Sequence, residues 1–150
     1  MVGFNNGLLS TNNFSFLAYQ STSQSNLTGD GTTANVICDT KIFDPSNGYN
    51  TGTGIYTVPS NIPMGIWFLQ GKVTLTGLTA SHTSAVISVT NFNRNLYFEI
   101  NAANSRTSGN ELTLEVCGYI NGIDSGSTFI LQIQVSGGTK VVGTKTTGDQ

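Results

Sequence analysis

Charge is scarce in this chain: only 9% of the 150 residues are Asp, Glu, Lys or Arg, well under the usual quarter or so. The six basic residues, Lys41, Lys72, Arg94, Arg106, Lys140 and Lys145, are scattered and form no run. Binding along a phosphate backbone needs clustered cations, so nucleic acid is excluded as a partner, and a polyanionic membrane surface is disfavoured for the same reason. No apolar run approaches the roughly 18 residues of a membrane span, which excludes insertion by a helix. A basic segment leading into an apolar one is also missing, since Met1-Val2-Gly3 runs into polar Asn5-Asn6. No signal peptide is therefore expected. Work outside a cell then implies lysis, export by some other signal, or packaging into a particle.

Histidine is nearly absent. The one copy, His82, sits in Thr79-Ala80-Ser81-His82-Thr83, which is expected to be an exposed loop. A catalytic base needs an orienting partner, and no local pattern supplies one. The carboxylates are dispersed and show none of the paired spacing of a glycosidase. Catalysis is not expected. Cys38, Cys117 and His82 lack zinc spacing, and no cofactor is expected. Cys117 falls on the face opposite Leu112, Leu114, Val116 and Ile120, whereas Val36, Cys38 and Ile42 share an apolar face of their own segment. Thiols on unlike faces of separate strands rarely reach the ~6 Å Cα separation that a disulfide needs, so both are expected to be free.

Leu, Ala, Glu, Lys and Arg, the strong helix formers, are sparse, while there are 18 glycines and much Thr, Ser and Asn. With 37% of residues hydrophobic and spread along the chain, this is a composition of strands and turns, not of disorder. Period-2 alternation recurs. Leu69, Gly71, Val73 and Leu75 alternate with Gln70, Lys72 and Thr74. Leu96, Phe98, Ile100 and Ala102 alternate with Tyr97, Glu99 and Asn101. Phe129, Leu131, Ile133 and Val135 alternate with Ile130, Gln132 and Gln134. Each series has one apolar and one largely polar face, as half-buried antiparallel strands do. Turn signals separate them, among them Asp44-Pro45-Ser46-Asn47-Gly48, Asn121-Gly122 and Asp124-Ser125-Gly126. No capped window of helical period stands out. The length suits one domain over residues 1–150, built as an all-β sandwich or barrel. The polar tail from Thr139 to Gln150 is expected to fray. Asn13-Phe14-Ser15 and Asn26-Leu27-Thr28 match the glycosylation sequon, which chance supplies readily in a chain so rich in Asn, Ser and Thr.

The most informative stretch is Gly48-Tyr49-Asn50-Thr51-Gly52-Thr53-Gly54-Ile55-Tyr56-Thr57-Val58-Pro59, followed by Gly65-Ile66-Trp67-Phe68-Leu69. It reads as a glycine-rich turn, a short strand stopped by proline, and a second strand opening on glycine. It resembles a signature of the C1q/TNF-like jelly-roll family. Weaker likeness extends over about Phe14 to Val135, through Phe14–Tyr19, Val36–Asp44 and Asp124–Ile130, with Ser127 where the family usually has Asp. The resemblance implies an antiparallel β-sandwich of jelly-roll type. One departure is large: the family ends on a central strand of aromatic-Ser-Gly-aromatic-Leu type, and nothing after Val135 fits it. Val141-Val142 reads as too short and too polar in its flanks. In the family that strand lies antiparallel beside the first. Val2–Leu9 carries Phe4, Gly7 and Leu8-Leu9 in the right order, and a Ser10–Asn13 loop would set it beside Phe14–Tyr19. Residues 2–9 are therefore either a displaced terminal strand, paired within the chain or with a neighbour, or a disordered lead-in to a chain lacking its last strand.

The resemblance further implies a homotrimer packed through apolar and aromatic strand faces. Tyr56 and Trp67 are the candidates for core or subunit contact. Some family members hold calcium through loop oxygens near the trimer apex, and Asp124 lies in a turn of that kind, though a solvated turn aspartate accounts for it as well. The implied role is a non-enzymatic binding head that attaches to an unidentified surface receptor, glycan or protein, at the tip of a phage or viral fibre. Its location would be the virion or an extracellular surface structure. The alternatives are a capsid-decoration or filament subunit assembled by strand donation, and a carbohydrate-binding module.

Overall fold

The computed structural model describes residues 15–60, 65–92 and 94–146. In chain order the elements are β1 (Leu17–Tyr19), β2 (Gln24–Thr28), β3 (Thr33–Asn35), β4 (Thr40–Phe43), β5 (Tyr49–Asn50), β6 (Ile55–Thr57), β7 (Gly65–Thr76), β8 (Ser84–Asn91), β9 (Arg94–Ile100), the one-turn helix α1 (Ala102–Ser105), β10 (Leu112–Ile123), β11 (Thr128–Ser136) and β12 (Val142–Thr144). One sheet has the order β10-β7-β12-β2, a second has β5-β6-β11-β8-β9 with β3 also on β11, and β1 pairs with β4 alone. Every pairing is antiparallel. The second sheet is organised on β11, which pairs with β8 over Ile130–Ser136. On its other edge it pairs with β6 over Thr128–Ile130 and with β3 over Gln132–Gln134. The fold is an antiparallel β-sandwich of jelly-roll type.

The alternation in the sequence sets the two inner faces. Leu69, Val73 and Leu75 of β7 and Leu112, Leu114, Val116 and Ile120 of β10 are buried against Ile87 and Val89 of β8 and Phe129, Ile133 and Val135 of β11. Each such side chain contributes about 1.5–3 kcal/mol by leaving water. Gly71 lies on the same inner face because Leu131 fills its place: a Cβ there would come within 2.4 Å of Leu131 Cδ1. The glycine-rich motif forms the β5–β6 hairpin, its turn closed by the Gly54 N–H donating to Asn50 O at 2.9 Å.

Four expectations from the sequence are corrected here. Ile42 does not share a face with Val36 and Cys38: the chain between β3 and β4 is not a strand, parity is lost across it, and Ile42 is exposed. Phe98 is also exposed, because β9 is the outer strand of its sheet and nothing covers its far side among the described residues. The β9 alternation stops at Ile100, where Asn101 caps α1 by accepting the Asn104 N–H through Oδ1 at 3.1 Å. The fourth correction concerns the last strand.

That strand is present after Val135. β12 lies between β7 and β2, with Gly143 opposite Thr76, Thr144 opposite Leu75, and Val142 opposite Thr28. A three-residue strand suffices because both of its edges are paired and its side chains are buried. Its polar member is satisfied: Gln20 Nε2 donates to Thr144 Oγ1 at 2.6 Å. Gly143 permits the close approach, since a Cβ would stand 2.2 Å from Gln24 O. The segment expected to fray from Thr139 is thus structural at least to Thr144. The strand beside it is β2, while β1, within the segment expected to play that part, pairs with β4. The vacancy assigned to residues 2–9 is filled by β12, and residues 2–9 themselves lie outside the described residues.

Candidate functional site

Tyr56 and Trp67 belong to an aromatic cluster at one end of the sandwich. Tyr56 is fully buried in a single chain. Its ring stacks on Phe16 at 4.2 Å and lies 5.8 Å from Trp67, which is 5.7 Å from Phe129. Its hydroxyl meets Ser46 Oγ at 3.2 Å. Trp67 is half-buried and packs against the core. Both rings pack within the single chain.

Their neighbours form the exposed site. β7 opens Ile66-Trp67-Phe68-Leu69, apolar on both parities, so a strand that turns Trp67 and Leu69 inward must turn Ile66 and Phe68 outward. On the adjoining strand Tyr119 has the parity opposite to Ile120 and also faces out. Tyr119 is opposite Phe68 and Asn121 opposite Ile66. The Phe68 and Tyr119 rings are 5.2 Å apart, yet Ile66 is 72%, Phe68 54% and Tyr119 73% exposed. The same face becomes polar along the strands, where Gln70 Nε2 donates to Glu115 Oε1 at 2.6 Å and the Thr74 and Thr113 hydroxyls meet at 2.9 Å. On the adjacent edge β9 exposes Tyr97 and Phe98. A contiguous apolar patch with a polar rim has the layout of a protein contact surface. The signal in the sequence is the run at 66–69, apolar on both parities, which a single-face pattern does not capture.

His82 and Asp44 hold the chain together locally. His82 is not in an exposed loop but fully buried. The Thr79 N–H donates to its Nδ1 at 2.8 Å, which leaves Nε2 to donate to Thr139 O at 3.2 Å. The ring thereby ties the turn after β7 to the segment that enters β12. Cys38 and Cys117 are unpaired. Burial pushes the Cys38 thiol up, while Cys117 is exposed near the apolar patch. The Asp44 carboxylate organises the loop ahead of β5, accepting from the N–H groups of Gly48 at 3.1 Å and Tyr49 at 3.0 Å and from Lys41 at 3.3 Å. Burial works to raise its carboxyl, but those hydrogen bonds together with Lys41 hold it below its ordinary value. The N–H of Ser21 lowers Asp39 to about 2. Among the described residues no group of three or more His, Cys, Asp or Glu could hold a metal ion, and no helix is long and apolar enough to cross a membrane.

No protein-family model and no curated protein sequence matches the chain. Solved structures do. A crystal structure of murine APRIL at pH 5.0 aligns with TM-score 0.53 and 13% identity, covering 87% of this chain and 96% of that one. A structure of murine APRIL at pH 8.0 aligns with TM-score 0.49 and 16% identity over the same shares. At such identity the likeness is one of fold, and the fold is the TNF-like jelly roll.

Proposed function

We propose that this chain is a non-enzymatic binding head that assembles as a homotrimer through the outer face of β7 and β10. The observation that carries the reading is the exposed set Ile66, Phe68 and Tyr119. Rings left open to water on a sheet otherwise patterned apolar-in and polar-out call for a partner. The partner that fits is another copy. The patch on the face and the exposed Tyr97 and Phe98 on the neighbouring β9 edge are two different apolar surfaces, which suits a head-to-tail contact that closes into a ring. The TNF-like fold supports the same arrangement. A receptor on a host or other surface is the partner of the assembled head. A low-charge, Thr- and Asn-rich exterior suits an attachment structure such as the tip of a phage or virion fibre. The strand-donated filament has less support, since β12 already occupies the place a donated strand would take. Sedimentation velocity at micromolar concentration tests the reading: a species of three chains is expected, and a stable monomer contradicts it.

A further inference from the structure

Two open clefts meet at the turn between β10 and β11. One, of about 710 Å³, lies between Ser125-Gly126, Pro59-Ser60 and the loop at Asn47–Thr51. The other, of about 430 Å³, lies between the same turn and the tip of the β8–β9 hairpin, where Phe92 and Arg94 line it. Ser125 and Gly126 line both clefts. The shared wall is fixed from within: the Ser127 N–H donates to Asp124 O at 3.1 Å and the Gly126 N–H to Val58 O at 2.8 Å. A ligand that spans the clefts would meet a preformed surface, which lowers the entropy lost on binding.

The lining chemistry narrows the ligand. Both cations at the rims are already engaged. Lys41 donates to Asp44 at 3.3 Å and to Asn47 Oδ1 at 2.6 Å, and Arg94 donates to the backbone and side-chain oxygens of Asn121. A phosphate, sulfate or carboxylate ligand would have to displace these partners. An apolar ligand would leave the hydroxyls of Ser125 and Thr51 and the Nδ2 of Asn50 without partners, at a penalty for each one buried. Two of the lining groups bear most on the ligand. Asp124 has a carboxylate with no hydrogen bond or ion pair among the described residues, and Phe92 has a ring that is 92% exposed. A carboxylate accepts from two hydroxyls at once, as a vicinal diol presents them. An exposed ring offers a flat apolar surface to the C–H face of a pyranose.

We propose that this double cleft binds a neutral oligosaccharide, with Asp124 accepting from sugar hydroxyls and Phe92 stacking on a ring. The proposal rests on the reading of the chain as a binding head and names the ligand class. It does not depend on the oligomeric state. The test is a printed array of neutral, sialylated and sulfated oligosaccharides, followed by titration calorimetry with the best neutral compound in solution. The expected result is retention of neutral glycans, with Asp124→Ala and Phe92→Ala each weakening solution affinity about tenfold or more at unchanged melting temperature and sedimentation. Retention of no neutral glycan, retention of anionic glycans alone, or variants that bind like the wild type would overturn it. A Tyr119→Asp variant separates this outcome from the assembly. If it sediments as a monomer, it should keep the solution affinity and lose only the multivalent gain on the array.

Discussion

Phe68 and Tyr119 face each other across the β7–β10 pair with ring centroids 5.2 Å apart, and both point into solvent. One residue along, Trp67 and Ile120, also opposite each other, turn inward. Adjacent positions on the same two strands thus supply both the core and an exposed apolar surface. An apolar pair on the outer face adds nothing to the core of a single chain.

The central place of β12 has a direct consequence. Gly143→Ala would put a methyl 2.2 Å from Gln24 O, in the ladder between β12 and β2. The strands must separate there, and the variant should lose about 1–3 kcal/mol in urea denaturation, as overpacked sites do. Val142→Asp sets a charge without a partner in the core and should cost more, enough to leave the chain largely unfolded at 37 °C. Wild-type stability in either variant would show that the C-terminal segment does not complete the sheet.

His82 should behave as a structural clamp. His82→Ala removes the acceptor of the Thr79 N–H and the donor to Thr139 O and empties a fully buried site, at a total of about 1–3 kcal/mol. Thermal denaturation should show a fall of many degrees, and amide exchange at Val142–Thr144 should quicken, because the entry to β12 is released. An unchanged exchange pattern would mean that the ring holds nothing.

Acid stability follows from Asp39 and Asp44. Asp39 is lowered from its ordinary 3.8 to about 2, chiefly by the Ser21 N–H, and Asp44 is lowered in the same direction. A carboxyl depressed in the folded state contributes stability that is present above the unfolded value and lost as pH falls through the folded one. The urea midpoint should therefore hold down to about pH 4 and drop toward pH 2. Asp44→Asn should be less stable at pH 7 and show a shallower acid decline, which equal slopes in the two proteins would contradict.

The sandwich was legible because period-2 patterning is strong in β7, β10 and β11, where one face is fully covered. The glycine-rich hairpin at Tyr49–Thr57 was legible because its turn chemistry is local. β12 was not. Val142-Gly143-Thr144 has only one large apolar residue, and its strand character comes from being paired on both edges, which no short window contains. His82 was misread for a similar reason: its partners are three residues away at Thr79 and 57 residues away at Thr139. The exposed apolar face was half legible. Trp67 drew attention as an aromatic within the motif, but the exposed residues are Ile66 and Phe68 on either side of it, and Tyr119 becomes their neighbour only through the β7–β10 register.

The proposed trimer requires that the Ile66–Phe68–Tyr119 face join copies of the chain. Sedimentation velocity or native mass spectrometry on the wild type and on Phe68→Asp, side by side at micromolar concentration, measures this most directly. The wild type should appear at about three times the 15.8 kDa of one chain, and Phe68→Asp, a substitution at an exposed position, should be a folded monomer with the wild-type circular dichroism. A wild-type monomer, or a Phe68→Asp trimer as stable as the wild type, would contradict the account.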